Sequence, residues 1–314
     1  MKDFYCVKNN TWCIDTGRTL MGVYRLNDTD IVMLDSGTSY GGYETKKLMN
    51  VIDGANLNVK AIIATHGHLD HIGNNEKLIE KFGCKIYMYG AEGYMCNDMD
   101  SLRMQHSLVP FDSTIEEALK CMKSRVDVFI APGAEIVDIC GVPFRIVHTP
   151  GHSLSHISII TPDNIGMLGD ALMTENEIVK TKIPYASNFA VDFASKRKLL
   201  SLNCDRYIIS HRGVRSGWEL EREIEANINY LKTRADVVLS YIEDGMCFDD
   251  IAAAVITCMN IKIGNRYYFF DIHSMIMPYV QYLEESGKVE TYYEKGYVRY
   301  RVAENGDEHQ ETLK

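Results

Sequence analysis

The sequence predicts an α/β fold followed by a small, mainly helical second domain. Three observations carry this. Short apolar runs alternate with helical stretches over the first two-thirds of the chain, with more strand than a doubly wound sheet needs. Several of those runs end at a histidine or an aspartate. Near Ser216 the texture changes to long helical stretches closed by one hairpin. At 314 residues the chain exceeds what one core usually serves, so one large and one smaller unit are expected.

In chain order, residues 20–35 predict two strands around an Asn27-Asp28 turn, and Glu44 to Ile52 a helix. Val59 to Ala64 (VKAIIA) predicts a buried strand that stops at Thr65, where the histidines begin. A helix over 72–82 and a strand from Cys84 to Met88 follow. Residues 90–130 break the rhythm. Tyr94, Met95, Met99, Met104, His106 and Phe111 with a helical EEALKCMK piece suit a wall over a site, a packed insertion or a subunit contact alike. Strands at 136–140, 143–148, 156–160 and 165–169, a helix over 191–202 and a strand from Arg206 to Ile209 complete the first domain, 1–216.

Ser216-Gly-Trp-Glu219 is a capping-box pattern before a helix over 217–243. Further helices are expected over 248–258 and 271–286, the latter kinked or started late by Pro278. KVETYYEKGYVRYRV alternates around Glu294-Lys295-Gly296 as a hairpin. Helices then a hairpin make 217–302 winged-helix-like, and the polar residues 303–314 read as a flexible tail.

Composition narrows the partners. With 33 basic and 43 acidic residues the formal charge is −10, which disfavours nucleic acid. Over 218–302 nine basic residues face fourteen acidic ones, a formal −5, and 271–286 holds no Lys or Arg. A nucleic-acid-reading helix brings basic residues to phosphate, so this domain is expected to act as substrate wall, lid or homodimer contact. No apolar run approaches the roughly 18 residues of a membrane span. The start MKDFYCVKNN lacks the apolar core of a signal peptide, so the cytoplasm is the expected compartment. Nine cysteines without a C-x-x-C pair predict reduced, mostly buried thiols.

The chemistry concentrates in Thr65-His66-Gly67-His68-Leu69-Asp70-His71, four ligand-type side chains in six residues after an apolar strand. Imidazole suits zinc, iron or copper, and a neighbouring carboxylate adds a harder ligand and a proton acceptor. Gly67 is expected to let the backbone turn between the two histidines. Three more pieces match: His148-Thr149-Pro150-Gly151-His152-Ser153, Gly166-Met167-Leu168-Gly169-Asp170 and Ile208-Ile209-Ser210-His211-Arg212-Gly213. His148 and His156 flank His152 and read as neighbours of the site rather than ligands.

Taken in order, THGHLDH, TPGHS, the aspartate of LGD and SHRG resemble the metallo-β-lactamase superfamily over roughly residues 15–215. The resemblance implies an αββα sandwich with two metals at one edge. It places His66, His68 and His152 at one metal, Asp70, His71 and His211 at the other, and Asp170 between them. It makes Asp35, in MLDSG, an acid that orients a ligand. A water or hydroxide held between the metals at Asp170 is then the nucleophile, and Asp70 orients it or passes a proton to the leaving group. Zinc is expected first, with iron or manganese suited to the same N/O set.

Hydrolysis of a small carbonyl substrate is the expected activity, either a thioester as in glyoxalase II or a lactone. The alternatives are a phosphodiesterase or ribonuclease with the same centre, a single-iron persulfide dioxygenase, and a mainly regulatory protein. The β-lactamases proper use a cysteine at the second metal and lack the bridging carboxylate, whereas Asp170 is present here. Arg212 and Arg215 are the candidate phosphate clamps that a phosphodiesterase needs.

Overall fold

A computed structural model describes residues 3–105 and 113–303. His106, Phe111 and the polar segment 304–314 lie outside the described residues.

The first sheet takes its strands in chain order: β1 (Phe4–Lys8), β2 (Thr11–Asp15), β3 (Leu20–Arg25), β4 (Asp30–Leu34), β5 (Asn58–Ile63), β6 (Lys85–Tyr89) and β7 (Val128–Ile130). β1 to β4 form an antiparallel meander, and β4 to β7 run parallel. Parallel neighbours need crossovers. These are α1 (Tyr43–Gly54), then α2 (Leu69–Ile72) with α3 (Asn75–Phe82), then α4 (Gly90–Asn97), α5 (Met99–Gln105) and α6 (Ser113–Met122). The irregular 90–130 stretch is therefore the β6–β7 crossover. Leu102, Ile115, Leu119 and Met122 bury with Leu48, Ile52, Ile62 and Leu78 on the outer face of this sheet, while Tyr94 and Met104 stay exposed.

The second sheet has the order β8 (Ile136–Ile139), β9 (Val142–His148), β10 (Ile157–Ile160), β11 (Ile165–Met167), β12 (Arg206–Ile209) and β13 (Gly213–Ser216). β11 and β12 are parallel and are joined by α7 (Glu175–Ile178), α8 (Phe189–Lys198) and a 3-10 turn, Leu199–Leu202. The two sheets stack through Leu34, Ile63 and Tyr87 on one side and Phe144, Ile159 and Met167 on the other. With helices on both outer faces, the layers are α, β, β and α.

The helical C-terminal region continues from β13 without a linker. Ser216 caps α9 (Gly217–Leu239), its N–H donating to Glu219 Oε2 at 2.8 Å. α10 (Phe248–Cys258), α11 (Arg266–Glu285), β14 (Val289–Glu294) and β15 (Tyr297–Val302) follow, and Met246 bridges to Tyr300 of the hairpin. One apolar core runs through both parts of the chain. Ile160, Phe189 and Tyr207 share it with Leu220, Ile228, Ile251, Ile276, Tyr279 and Leu283.

The differences from expectation are local. β1, β2, β7 and β13 carry no clear alternation, being short or at sheet edges. The expected helix over 72–82 is divided between α2 and α3, and α9 stops at Leu239. α11 begins before Pro278 could start it, because Asn265 Oδ1 accepts the Tyr268 N–H at 2.8 Å and caps the first turn. Packing then carries the proline, which is buried inside the helix. Of the nine thiols, Cys13, Cys84, Cys96 and Cys204 are buried, whereas Cys6, Cys140 and Cys258 are exposed.

Candidate metal centre

Each ligand-type residue follows a strand, as the sequence predicts. β5 leads to His66 and His68, β9 to His152, β11 to Asp170 and β12 to His211. Asp70 and His71 are the exceptions in detail, since both sit inside α2, whose one turn returns them to the site. The loops meet at the same edge of the sandwich, so side chains from far apart in sequence converge.

Two groups result. His66, His68 and His152 form one, and Asp70, His71, Asp170 and His211 the other, each with its ligand atoms within 4.8 Å of one another. His68 Nδ1 faces His152 Nε2 at 2.9 Å. Asp170 lies between the groups: Oδ2 is 3.4 Å from His152 Nε2 and 3.3 Å from His211 Nε2, and Oδ1 is 3.2 Å from His71 Nε2. Asp70 Oδ2 is 3.5 Å from His211 Nε2 and 3.7 Å from His71 Nε2.

The fit to a cation shows in what is left unpaired. His66 Nε2, His71 Nε2 and Asp170 Oδ1 are buried and make no well-aligned hydrogen bond, although the last two face each other at 3.2 Å. Orphaned buried polar atoms cost about 1–3 kcal/mol each, and three converging in one place call for a positive ion there. Nitrogen and carboxylate oxygen donors suit a divalent transition metal.

Neighbouring groups hold the ligands in orientation. Asp35 Oδ2 accepts from His71 Nδ1 at 2.9 Å and from Thr65 Oγ1 at 2.9 Å. Thr65 Oγ1 in turn lies 3.0 Å from His66 Nδ1. With Nδ1–H of His66 donating to that hydroxyl, the Nε2 lone pairs of both rings are turned toward the site. Asp35 does this from a left-handed backbone, φ 64°. His156 is not a ligand either. Its Nδ1 meets Thr149 Oγ1 at 2.9 Å, and its Nε2 accepts the Asp170 N–H at 3.1 Å, which positions that carboxylate. His148 turns away to Leu154 O at 3.0 Å.

Charge follows from this packing. Burial drives His66 and His156 well below the ordinary imidazole range and His152 down to about 3. His211 is raised to about 10, first by Asp170. Burial opposes protonation of His71, yet Asp170, Asp70 and Asp35 together raise it well above the usual value. Burial likewise opposes ionisation of Asp170, but His211, His71 and His152 keep it ionised. In the metal-free protein, protons on His71 and His211 stand where a cation would balance the carboxylates.

Sequence reasoning missed Glu92, on α4. Its Oε2 accepts the Gly67 N–H at 2.6 Å and its Oε1 accepts the Ser155 N–H at 2.9 Å, tying the two loops that carry the three-histidine group. It also corrects the expected role of Gly67, whose backbone is not left-handed. A Cβ there would sit 2.8 Å from Cys96 Sγ and 3.3 Å from Glu92 Oε2, so glycine is required for space against α4. Gly169 does need its freedom: φ is +54°, and a Cβ would fall 2.6 Å from His156 Nε2. Arg215, a clamp candidate, is instead committed to Glu223, Nε to Oε1 at 2.5 Å.

Two residues of α11 approach the centre from the other side. Asp271 is held above the usual carboxylate range, first by burial, with His68 opposing and Asp70 adding. Tyr267 packs against the cluster that holds the β6–β7 crossover. The crossover and the C-terminal region thus meet beside the metal groups.

Comparison with known proteins agrees with this arrangement. The sequence profile described as Metallo-beta-lactamase superfamily matches residues 14–211. The chain is 31% identical over 178 residues to the hydroxyacylglutathione hydrolase GloC of Haemophilus influenzae, covering 55% of this chain and 77% of that protein. It is similar in fold to a metallo-beta-lactamase family protein of Thermus thermophilus, with TM-score 0.68, 16% identity, and 96% and 99% of the two chains covered. A beta-lactamase domain protein from Burkholderia ambifaria gives TM-score 0.65 at 16% identity, covering 96% and 93%. Both fold likenesses extend over the C-terminal helices as well. The chain belongs to the metallo-beta-lactamase superfamily and is a metallo-hydrolase with a divalent-metal site at this sheet edge.

Proposed function

We propose that this enzyme hydrolyses a small carbonyl substrate, a thioester first and a lactone second, at a centre of two metal ions, zinc before iron or manganese. The observation that carries the binuclear reading is the pair of complete ligand groups with Asp170 between them. His66, His68 and His152 would hold one ion, Asp70, His71 and His211 the other, and Asp170 both. Ions bound there supply Lewis acidity and bring the pKa of bound water toward neutrality.

The chain's own groups do the rest. Asp70 is about one-third exposed, against 9% for Asp170, so its carboxylate is the one able to exchange a proton with a leaving group in the cleft. Asp35, Thr65, His156 and Glu92 hold the ligating atoms in place so that little reorganisation is needed when charge develops. The thioester preference draws on the similarity to a hydroxyacylglutathione hydrolase. In this reading residues 1–216 carry the chemistry, and 217–302, a winged-helix-like domain, flanks the centre through Asp271 of α11, near His68 and Asp70. The substrate is a small molecule in the cytoplasm.

A phosphodiesterase is the second reading, favoured by Arg212 in the cleft beside His211. The test is kcat/KM of metal-loaded protein on matched thioester, lactone and phosphodiester panels. Thioesters are expected to lead. A lead by phosphodiesters of orders of magnitude, lost in Arg212→Ala, overturns the proposal.

A further inference from the structure

Beside the metal groups opens a cleft of about 580 Å³, a size ordinary for a small-molecule site. Its lining includes Asp70 and His211 together with Arg18, Tyr40, Glu44 and Arg212. The two arginines come from different loops, β2–β3 and β12–β13. A Cβ on Gly17 would lie 3.7 Å from an Arg212 terminal nitrogen, so that guanidinium lies against the residue preceding Arg18.

Arg212 has no hydrogen bond or ion pair among the described residues. Among the described residues Arg18 has one ion-pair neighbour, Glu44, with Nε 3.8 Å from Oε1, too far for a hydrogen bond. Glu44 is 3% exposed, and its other oxygen is taken by Thr16 Oγ1 at 2.6 Å and Thr19 Oγ1 at 3.2 Å. Arg18, 79% exposed, stands on the cleft wall beside that buried carboxylate without forming a closed pair with it. The remaining acid of the cleft, Glu177, is bonded to Lys180 at 2.7 Å. Arg215, on β13, shows the contrast, since Glu223 closes it into an ion pair. In a chain of formal charge −10, two arginines not closed by a carboxylate beside the reacting centre form an uncommon surface.

We infer that Arg18 and Arg212 form an anion subsite, and that the preferred substrate carries a carboxylate or phosphate group next to its scissile carbonyl. A planar guanidinium donates paired hydrogen bonds that match such oxygens, and a second one from another loop sets direction as well as charge. This deepens the proposed hydrolase function and rests on it, naming which acyl substrates the centre receives. Tyr40, 43% exposed, lines the same cleft.

The test uses full-length, metal-loaded protein and matched aryl thioesters whose acyl chain ends in methyl, carboxylate or phosphate. Wild type is expected to favour a charged end over methyl by about tenfold or more in kcat/KM, which is roughly 1.4 kcal/mol. The carboxylate and phosphate arms tell the two anions apart. In Arg18→Ala/Arg212→Ala the charged-to-neutral ratio is expected to fall toward one, and in wild type it should shrink as salt is raised. No preference in wild type, or a ratio that survives the double substitution, overturns the inference. Failure of the hydrolase reading shows differently, as no turnover of any thioester. The subsite is then read by calorimetric titration of succinate and inorganic phosphate into wild type and the double variant. Loss of binding in the variant supports the subsite; equal or absent binding in both overturns it.

Discussion

Glu92 ties Gly67 to Ser155: one carboxylate oxygen takes the Gly67 N–H at 2.6 Å and the other the Ser155 N–H at 2.9 Å. Through this clamp α4 fixes the distance between the loop of His66 and His68 and the loop of His152. Hydrogen bonds to a charged acceptor contribute about 1.5–3 kcal/mol each. Glu92→Ala should therefore lower metal affinity by about 10–100-fold, as loss of groups that orient ligands does. Competition against a chromophoric chelator measures it. An unchanged affinity would show that the loops hold their spacing without the clamp.

Asp170→Asn should cost much more activity than stability. A neutral amide cannot balance the cations that both groups would hold, and loss of an orienting neighbour alone costs about 10–100-fold in affinity or activity. The measurement is turnover at equal metal loading beside a thermal melt. Wild-type turnover in this variant would remove Asp170 from the centre.

Protein purified without chelator should contain close to two metal ions per chain. Elemental analysis decides it. One ion with every ligand intact would sink the binuclear reading and favour a single-iron oxidoreductase.

Metal binding should release protons and tighten as pH rises. His211 is raised to about 10 and His71 is raised as well, so both are protonated near neutral pH in the metal-free protein. A ligand nitrogen must be neutral, so metal binding displaces each of these protons to solvent. His66 and His152 are already neutral and contribute none. Affinity is then expected to climb from neutral pH toward about 10, the His211 value. Calorimetry in buffers of different ionisation enthalpy counts the protons. Zero release would contradict the charge state drawn here.

The C-terminal region should not bind nucleic acid usefully. Its formal charge over 218–302 is −5, and both arginines of its hairpin are engaged, Arg301 with Glu290 at 2.6 Å and Arg299 donating to Gly245 O at 2.8 Å, which leaves Lys295 in the turn. α11 adds only Arg266 at its start. A salt titration against duplex DNA and single-stranded RNA is the check. Binding tighter than ~10⁻⁶ M at physiological salt would contradict it, since non-specific binders reach ~10⁻⁴–10⁻⁶ M.

The sequence by itself determined the layered fold and picked out the ligand-type residues that the fold gathers at one edge. Every strand that carries a ligand is a short apolar run broken by Gly, His or Asp, and that contrast is local, so a reader of the chain meets it directly in THGHLDH or MLGD. Tertiary structure decided what depends on approach between distant segments. Val128–Ile130 becomes a strand only beside β6, which turns the 90–130 stretch into a crossover and brings Glu92 onto two loops. Arg212 and Arg215 look alike in sequence, yet packing closes one with Glu223 and leaves the other beside Arg18 in the cleft. Asp271 is far along the chain from His68 and Asp70, and it reaches them because α11 packs into the core shared by both parts. Pairings of this kind are set by which surfaces bury together, and no local pattern of residues encodes them.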